Sequence, residues 1–146
     1  ASNWLNVGKL PERTGSQHPN IAPYGDIFYT RDQYPIILGT GTQRQFEALC
    51  DILDLPYLKK DSRFATNPRR LENRALLNEQ LESGFAQLDW VTLQKRSHTH
   101  GVTLAPVNNL EAVFKLPAAQ DLILEEQKED QSHSKRVRTV VFRLQA

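Results

Sequence analysis

Glycines and prolines crowd the beginning of this chain and interrupt any long helix there. They occupy positions 8, 11, 15, 19, 23 and 25. Proline has no backbone N–H to donate, and glycine loses the most conformational entropy when it is fixed in a helix, so the two residue types punctuate regular structure. Residues 1–25 are therefore predicted to form an extended linker and loop segment. A packed domain is expected only after them.

β-Branched and aromatic side chains dominate the stretch that follows. They fill residues 26–31 and 34–39, and a short polar gap, Asp32-Gln33, separates the two runs. This pattern predicts a β-hairpin. A tight type I′ turn needs positive φ at both central residues and favours glycine at the second, so Gln33 indicates a longer or strained turn.

Three helices are predicted downstream, each preceded by a capping residue. The first has a capping box with Gln45 and an apolar stripe that ends before Pro56. The second takes Pro68 in its first turn and reaches Gly84, and the third stops at Gly101. The predicted N-caps are Thr42, Asn67 and Asp89.

Shorter elements are predicted for the last third of the chain. Residues 103–107 indicate a strand, 110–114 a short helix and 122–124 a brief extended piece. Residues 125–134 are polar throughout and are predicted to be a solvated loop before a closing strand at 137–144. The fold class is α+β, with a small antiparallel sheet from the N-terminal hairpin and later strands packed with about three helices.

Composition argues against several classes of protein. The 146 residues contain no apolar run of the roughly 18–20 residues that span a membrane, and no secretory leader. Lys and Arg number 18 against 17 Asp and Glu, which leaves no basic surplus for nucleic acid. The basic stretch with Lys135, Arg136, Arg138 and Arg143 follows an acidic run at 125–130, so it is interpreted as an edge strand protected by charge. Nucleic-acid binding by that stretch is the weaker alternative.

Residues that could carry chemistry receive mostly structural interpretations. Cys50 lies on the apolar face of the first helix and is predicted to pack in the core. His98, His100 and His133 lack a nearby carboxylate that would complete a metal site, so no metal is predicted. His18 lies in the breaker-rich segment, where a ligand could approach, although an exposed loop histidine is the simpler interpretation.

Two charged groups are also interpreted structurally. Asp61, Arg63 and Phe64 are predicted to fasten a loop, with the charges bonding backbone or each other while the ring enters the core. Arg69, Arg70 and Arg74, with nearby glutamates, are interpreted as the solvent face of the second helix. No acid–base pair, catalytic triad or phosphate loop emerges from spacing alone.

An ordered series of short motifs nevertheless resembles the family III CoA-transferases, the CaiB/BaiF family. The series runs through Gly15, His18-Pro19-Asn20, Pro23-Tyr24-Gly25, Thr30-Arg31-Asp32, Gln45-Phe46, residues 61–67, Asn73-Arg74, Trp90 and residues 105–108. It covers most of the chain, roughly residues 15–119. Each motif is modest alone, but their order and spacing together are specific.

The resemblance implies a transferase that moves coenzyme A from an acyl-CoA to a free carboxylate through an aspartyl-CoA thioester. Racemases of α-methylacyl-CoA share that fold and are the alternative. The family's aspartate nucleophile lies in a large domain that precedes the matched region, so no catalytic residue is assigned here. A coenzyme A thioester is then a substrate of the parent protein, and no permanent cofactor is implied. The family also implies an interlocked homodimer for the full-length protein.

The resemblance further implies that this chain is the family's small α+β domain. Residues 1–25 would lead in from the missing large domain, 26–121 would form the small domain, and 122–146 would lead back. The absence of methionine agrees with a segment of a longer protein. The cytoplasm is the expected compartment. An isolated chain would be inactive, and an interaction domain that has lost its catalytic half is the second alternative.

One segment matches the loop that closes over the thioester in formyl-CoA transferases. The substrate-loop candidates are Gly15, Ser16, Gln17 and His18. The segment has one glycine where that subgroup has several, which disfavours formyl-CoA and oxalate as substrates. Gln33 replaces the usual glycine after Asp32, a departure that affects the hairpin tip.

Overall fold

A computed structural model describes residues 5, 6, 8, 15–128 and 131–138 of the protein. The chain divides into two compact units, residues 1–107 and residues 108–146. In the described ranges no helix is both long enough and apolar enough to cross a bilayer.

The first unit is built on a three-stranded antiparallel sheet. Strand β1 is Ile27–Tyr29, β2 is Pro35–Leu38 and β3 is Leu104–Pro106, in the order β1-β2-β3. Phe28 pairs with Ile36, and Leu38 pairs with Leu104. The predicted hairpin and the predicted third strand are confirmed.

The hairpin turn is longer than two residues, as Gln33 predicted. Thr30 and Tyr34 close it: the Thr30 N–H donates to the Tyr34 carbonyl at 3.1 Å and the Tyr34 N–H donates to Thr30 Oγ1 at 2.9 Å. Gln33 has φ 60° and therefore takes the left-handed conformation that glycine adopts more easily. Asp32 compensates by accepting a 2.6 Å hydrogen bond from Thr30 Oγ1.

Helices cover the sheet, and their ends follow the caps. Thr42 forms a complete capping box with Gln45, Asp89 accepts from the Thr92 N–H at 2.8 Å, and Gly101 ends its helix at φ 67°. These predictions are confirmed. The helices of this unit are α1 (Gln43–Ile52), α2 (Asn67–Glu72), α3 (Arg74–Phe85) and α4 (Trp90–His100), with a 3-10 turn at Pro56–Lys59.

The prediction of one helix from Asn67 to Gly84 is wrong in two respects. Its N-cap is Thr66, which accepts from the Arg69 N–H at 3.4 Å, whereas Asn67 uses its side chain elsewhere. The helix also breaks at Asn73, where φ is −112° and ψ is 26°. The Asn73 side chain donates to the Arg69 carbonyl at 2.9 Å. Asparagine competes in this way with the helical backbone for its own acceptors, which explains the break.

The core lies between the sheet and α1, α3 and α4. The rings of Phe28 and Phe85 stack with centroids 4.8 Å apart, which joins β1 to the end of α3. Burial of such apolar area is the main stabilising contribution to the unit. The largest fully buried side chains are Phe28, Phe46, Phe64, Phe85, Ile36, Leu38, Leu49, Ile52, Leu58, Leu77, Leu81 and Leu93.

The second unit contains the confirmed short helix α5 (Leu110–Phe114), α6 (Pro117–Gln120) and an antiparallel hairpin of β4 (Ile123–Gln127) and β5 (His133–Val137). The prediction of a solvated loop over 125–134 is therefore wrong at both ends. Cross-strand ion pairs explain why a polar run forms strands: Lys135 lies 2.5 Å from Glu125, and Arg136 lies 2.5 Å from Glu126. Of the predicted closing strand at 137–144, residues 139–144 lie outside the described residues.

Candidate functional site

The lead-in loop, residues 15–25, folds back against the first unit and forms the candidate site. The His18 N–H donates to the Tyr24 carbonyl at 3.0 Å and closes the loop on itself. The Gly25 N–H donates to the Leu38 carbonyl at 2.8 Å and joins the loop to β2. Asn67 bridges its middle, donating to the Asn20 carbonyl at 2.8 Å and accepting from the Ala22 N–H at 3.0 Å.

Arg74, in the first turn of α3, clamps the same loop. Its Nη1 donates to the His18 carbonyl at 3.0 Å and its Nη2 donates to the Ile21 carbonyl at 2.7 Å. Its Nε lies 3.3 Å from Oδ2 of Asp26, whose side chain is 1% exposed. One guanidinium therefore fixes two points of the loop and is itself held by a buried carboxylate.

Arg70, on α2, joins the loop to the core. Its Nε donates to the Ala22 carbonyl at 3.0 Å, and its Nη1 donates to the Phe64 carbonyl at 2.9 Å and to Gln43 Oε1 at 2.8 Å. The guanidinium carbon lies 4.4 Å from the centre of the Phe46 ring, a cation–π contact. Burial lowers the pKa of Arg70, and no salt bridge neutralises it within the described ranges.

The interpretation of Arg69, Arg70 and Arg74 as a solvent face holds only for Arg69. Arg70 is 2% exposed and the Arg74 side chain is 16% exposed. Arg74 stands on α3 at helical spacing before Leu77 and Leu81 and continues their buried stripe. Arg70 lies on α2, before the break at Asn73. The helical spacing was the available signal for the burial of Arg74, which sequence reasoning missed.

The four substrate-loop candidates lie together at the start of this loop but differ in their surroundings. Gly15 is exposed, with φ 68° and open space where a Cβ would stand. The Ser16 carbonyl packs so closely on Gly25 that a Cβ there would collide with its oxygen. Gln17 is exposed, and its side chain contacts Asp26.

His18 is held in one orientation. Its half-buried ring meets the Tyr24 ring edge to face, with centroids 5.6 Å apart and planes at 79°. Its Nδ1 lies 3.2 Å from the Asn20 N–H and accepts from it. An Nδ1 that accepts a hydrogen bond carries no proton, so the neutral ring carries its proton on Nε2.

Asp26 is the buried acid of the site. Burial raises the pKa of its carboxyl, and the charge of Arg74 with polar contacts from Asn78 and Gln17 offsets only part of that effect. None of these contacts is aligned well enough to satisfy either carboxylate oxygen fully. Desolvation therefore outweighs the ion pair, as is common for buried charges.

This raised pKa predicts a stability contribution that falls with rising pH. The folded state holds the Asp26 proton more tightly than the unfolded state, whose pKa is near 3.8. The contribution is complete below that pH and is lost as pH rises through the folded-state pKa. We expect the difference in free energy of unfolding, wild type minus Asp26→Asn, to decrease as pH rises from about 4, in urea titrations.

Asp61→Asn is the matched control for that prediction. Hydrogen bonds from Arg63 lower the pKa of Asp61, so its contribution is present above the unfolded pKa and is lost as pH falls. The difference in free energy of unfolding between wild type and Asp26→Asn should therefore fall as pH rises, whereas the difference between wild type and Asp61→Asn should rise. Parallel slopes would contradict the assignment for Asp26.

Other residues considered from sequence have structural surroundings. Cys50 is buried, and burial raises the pKa of its thiol to about 12, so the predicted core role is confirmed. Arg63 binds Asp61 at 2.6 Å beside the buried Phe64, as predicted. His98, His100 and His133 are exposed, and the part of the chain described here holds no cluster of three or more metal-binding side chains. Arg143 lies outside the described residues.

The whole chain matches a known family of proteins. The model of CoA-transferase family III covers residues 1–146. This chain belongs to the family III CoA-transferases. The resemblance seen in the sequence and the predicted α+β fold are thereby confirmed.

Relatives and solved structures agree with this membership. The family III chain is 42% identical over 127 residues to an acyl-CoA transferase of Fusarium pseudograminearum, covering 84% of this chain and 27% of that protein. It is 38% identical over 121 residues to the human succinyl-CoA:glutarate CoA-transferase, covering 80% of this chain and 26% of that protein. A crystal structure of a CaiB/BaiF family protein from Brucella suis has a TM-score of 0.78 at 34% identity, covering 98% of this chain and 36% of that one. The chain thus spans about a quarter to a third of these proteins.

Proposed function

We propose that this chain is the small domain of an acyl-CoA:carboxylate CoA-transferase. The observation that carries the proposal is the match of the whole chain to the CoA-transferase family. The names of the two relatives given above describe CoA transfer, which favours transfer over racemisation. The reacting group is proposed to lie elsewhere in the parent protein.

The proposed reaction passes through an aspartyl-CoA thioester on a large domain. The acyl-CoA gives up its CoA to the aspartate and leaves as a free carboxylate. The acceptor carboxylate then takes the CoA and restores the aspartate, so one thioester is lost and one is formed at each stage. Hydrolysis of the thioester is the competing reaction, which makes exclusion of water valuable.

The proposed contribution of this chain is the lead-in loop. Gly15, Ser16, Gln17 and His18 are proposed to lie over the thioester and to shield it from water. The clamps by Arg70, Arg74 and Asn67 support this role because they tie the loop to the folded unit from His18 to Ala22. Such preorganisation spares the entropy of ordering a loop at the moment of binding.

Substrates are proposed to be dicarboxylic acids and their CoA thioesters. Succinate and glutarate, in the name of the human relative, each carry a second carboxylate that takes no part in the transfer. The parent protein is proposed to work in the cytoplasm as an interlocked homodimer.

The test uses the parent protein that contains this chain, incubated with succinyl-CoA and with glutarate. We expect glutaryl-CoA to form, and we expect the protein incubated with succinyl-CoA alone to gain the mass of CoA less one water. Hydroxylamine should release the CoA and leave an aspartyl hydroxamate in its place. The isolated 146-residue chain is the control and should show neither result. A parent protein that transfers CoA between no pair of acyl-CoA and carboxylate would overturn the proposal.

A further inference from the structure

We infer that His18 sets the preference for a dicarboxylic substrate, an inference that rests on the proposed transferase function. In this role the Nε2–H of His18 donates a hydrogen bond to the carboxylate of the substrate that does not react. The site thus gains a recognition element within the chain itself.

The backbone of His18 is fixed on both sides. Its N–H donates to the Tyr24 carbonyl at 3.0 Å, and its carbonyl accepts from Arg74 Nη1 at 3.0 Å. Asn20, two residues on, is tied through its own carbonyl to Asn67 at 2.8 Å. The position from which the imidazole projects is therefore set by the folded domain before any ligand arrives.

The ring itself offers one defined donor. Because Nδ1 accepts from the Asn20 N–H, the proton of the neutral ring lies on Nε2. No hydrogen-bond acceptor for that Nε2–H is found in the described part of the chain. The ring is half-buried against Tyr24, so it loses little freedom on binding. Gln17 differs, since its side chain contacts Asp26 and is engaged internally.

The arginine side chains beneath the loop favour an anion as the acceptor for the Nε2–H of His18. Two guanidiniums, of Arg70 and Arg74, lie under the loop and donate to its carbonyls. The carboxylate of Asp26 lies against Arg74, and that of Glu47 acts on the charge of Arg70 from farther away. The raised pKa of Asp26 reduces its negative charge as pH falls, which leaves the guanidiniums in excess. A fixed positive potential stabilises a carboxylate more than a neutral acyl chain. Hydrogen bonds to ionised acceptors are also about twice as strong as neutral ones.

The test compares two acceptors in the parent protein, glutarate and valerate, which has the same chain length but lacks the second carboxylate. His18→Phe keeps a ring against Tyr24 but has no donor. We expect it to raise KM for glutarate about 10-fold or more and to lower the ratio of kcat/KM for glutarate to kcat/KM for valerate by a similar factor. His18→Gln keeps an N–H donor and should recover part of the loss. His98→Gln, on the exposed end of α4, is the matched control and should behave as wild type.

Each outcome decides between the two proposals. Equal losses for glutarate and valerate in His18→Phe would show that the ring only supports the loop, and would overturn the inference while leaving the transferase function intact. Unchanged kinetics with both acceptors would overturn it as well. A wild-type protein that transfers CoA to neither acceptor would overturn the transferase function, and the inference with it.

Discussion

Replacing Arg70 with alanine is expected to lower the free energy of unfolding by about 3–5 kcal/mol, because it leaves two buried carbonyls without a donor and opens a cavity. The carbonyls of Ala22 and Phe64 would each lose a buried donor, at 3.0 and 2.9 Å in the native protein. The alanine would also leave a cavity beside the Phe46 ring, where the guanidinium now packs. Urea denaturation of this chain measures the change directly, from the shift in midpoint at constant slope.

Arg69→Ala is the matched control for Arg70→Ala. Arg69 neighbours Arg70 on the same helix but is exposed, and it pairs with Glu72 at 3.1 Å across one turn. Exposed pairs of this kind contribute little, so we expect a change within about 0.5 kcal/mol. Similar losses for both variants would mean that helix propensity, and not the buried contacts of Arg70, causes the effect.

The two arginines show where sequence reasoning about helices succeeds and where it stops. Caps are local: Thr42 meets Gln45 three residues away and Asp89 meets Thr92, so those helix starts could be predicted. The partners of Arg70 and Arg74 lie far along the chain, since Arg70 contacts Ala22 over 48 residues and Arg74 contacts His18 over 56. A charged residue on an apolar stripe indicates burial only once such a partner is known.

The second hairpin shows a different limit. Strand prediction depends on alternation of apolar and polar side chains, and residues 125–127 and 133–136 show none because both faces are polar or charged. The usable signal was the order of charges. Acidic residues Glu125 and Glu126 stand opposite basic Lys135 and Arg136 when the chain folds back on itself, and the two ion pairs fix the register.

The lead-in loop was located from the sequence, but its internal order was not predictable. Family resemblance selected residues 15–18 as a group and treated their side chains alike. The structure separates them because Asp26, buried at the end of the loop, engages Gln17 while Asn20 and Tyr24 orient His18. These differences depend on the fold of the whole loop against α3 and β2, which no spacing rule contains.

Gly25→Ala is expected to lower the free energy of unfolding by about 3 kcal/mol and to open the lead-in loop. Two costs add at this position. Its φ of 80° strains any residue with a Cβ by roughly 1–2 kcal/mol. The new Cβ would also collide with the Ser16 carbonyl oxygen and would stand 3.1 Å from the His18 backbone nitrogen. Because both neighbours are backbone, no rotamer change relieves the contact, and overpacking of this kind costs about 1–3 kcal/mol more.

Gly15→Ala separates strain from collision, because Gly15 has φ 68° but nothing within 4 Å of the added Cβ. We expect it to cost only the strain, roughly 1–2 kcal/mol. Hydrogen exchange of the His18 amide, which donates to the Tyr24 carbonyl, reports the loop itself. In Gly25→Ala the His18 amide should exchange faster than the loss of global stability alone accounts for. In Gly15→Ala the increase in its exchange rate should match the loss of global stability. If the two variants exchange alike, the Ser16–Gly25 approach does not hold the loop, and Arg74 and Asn67 alone set the position of His18.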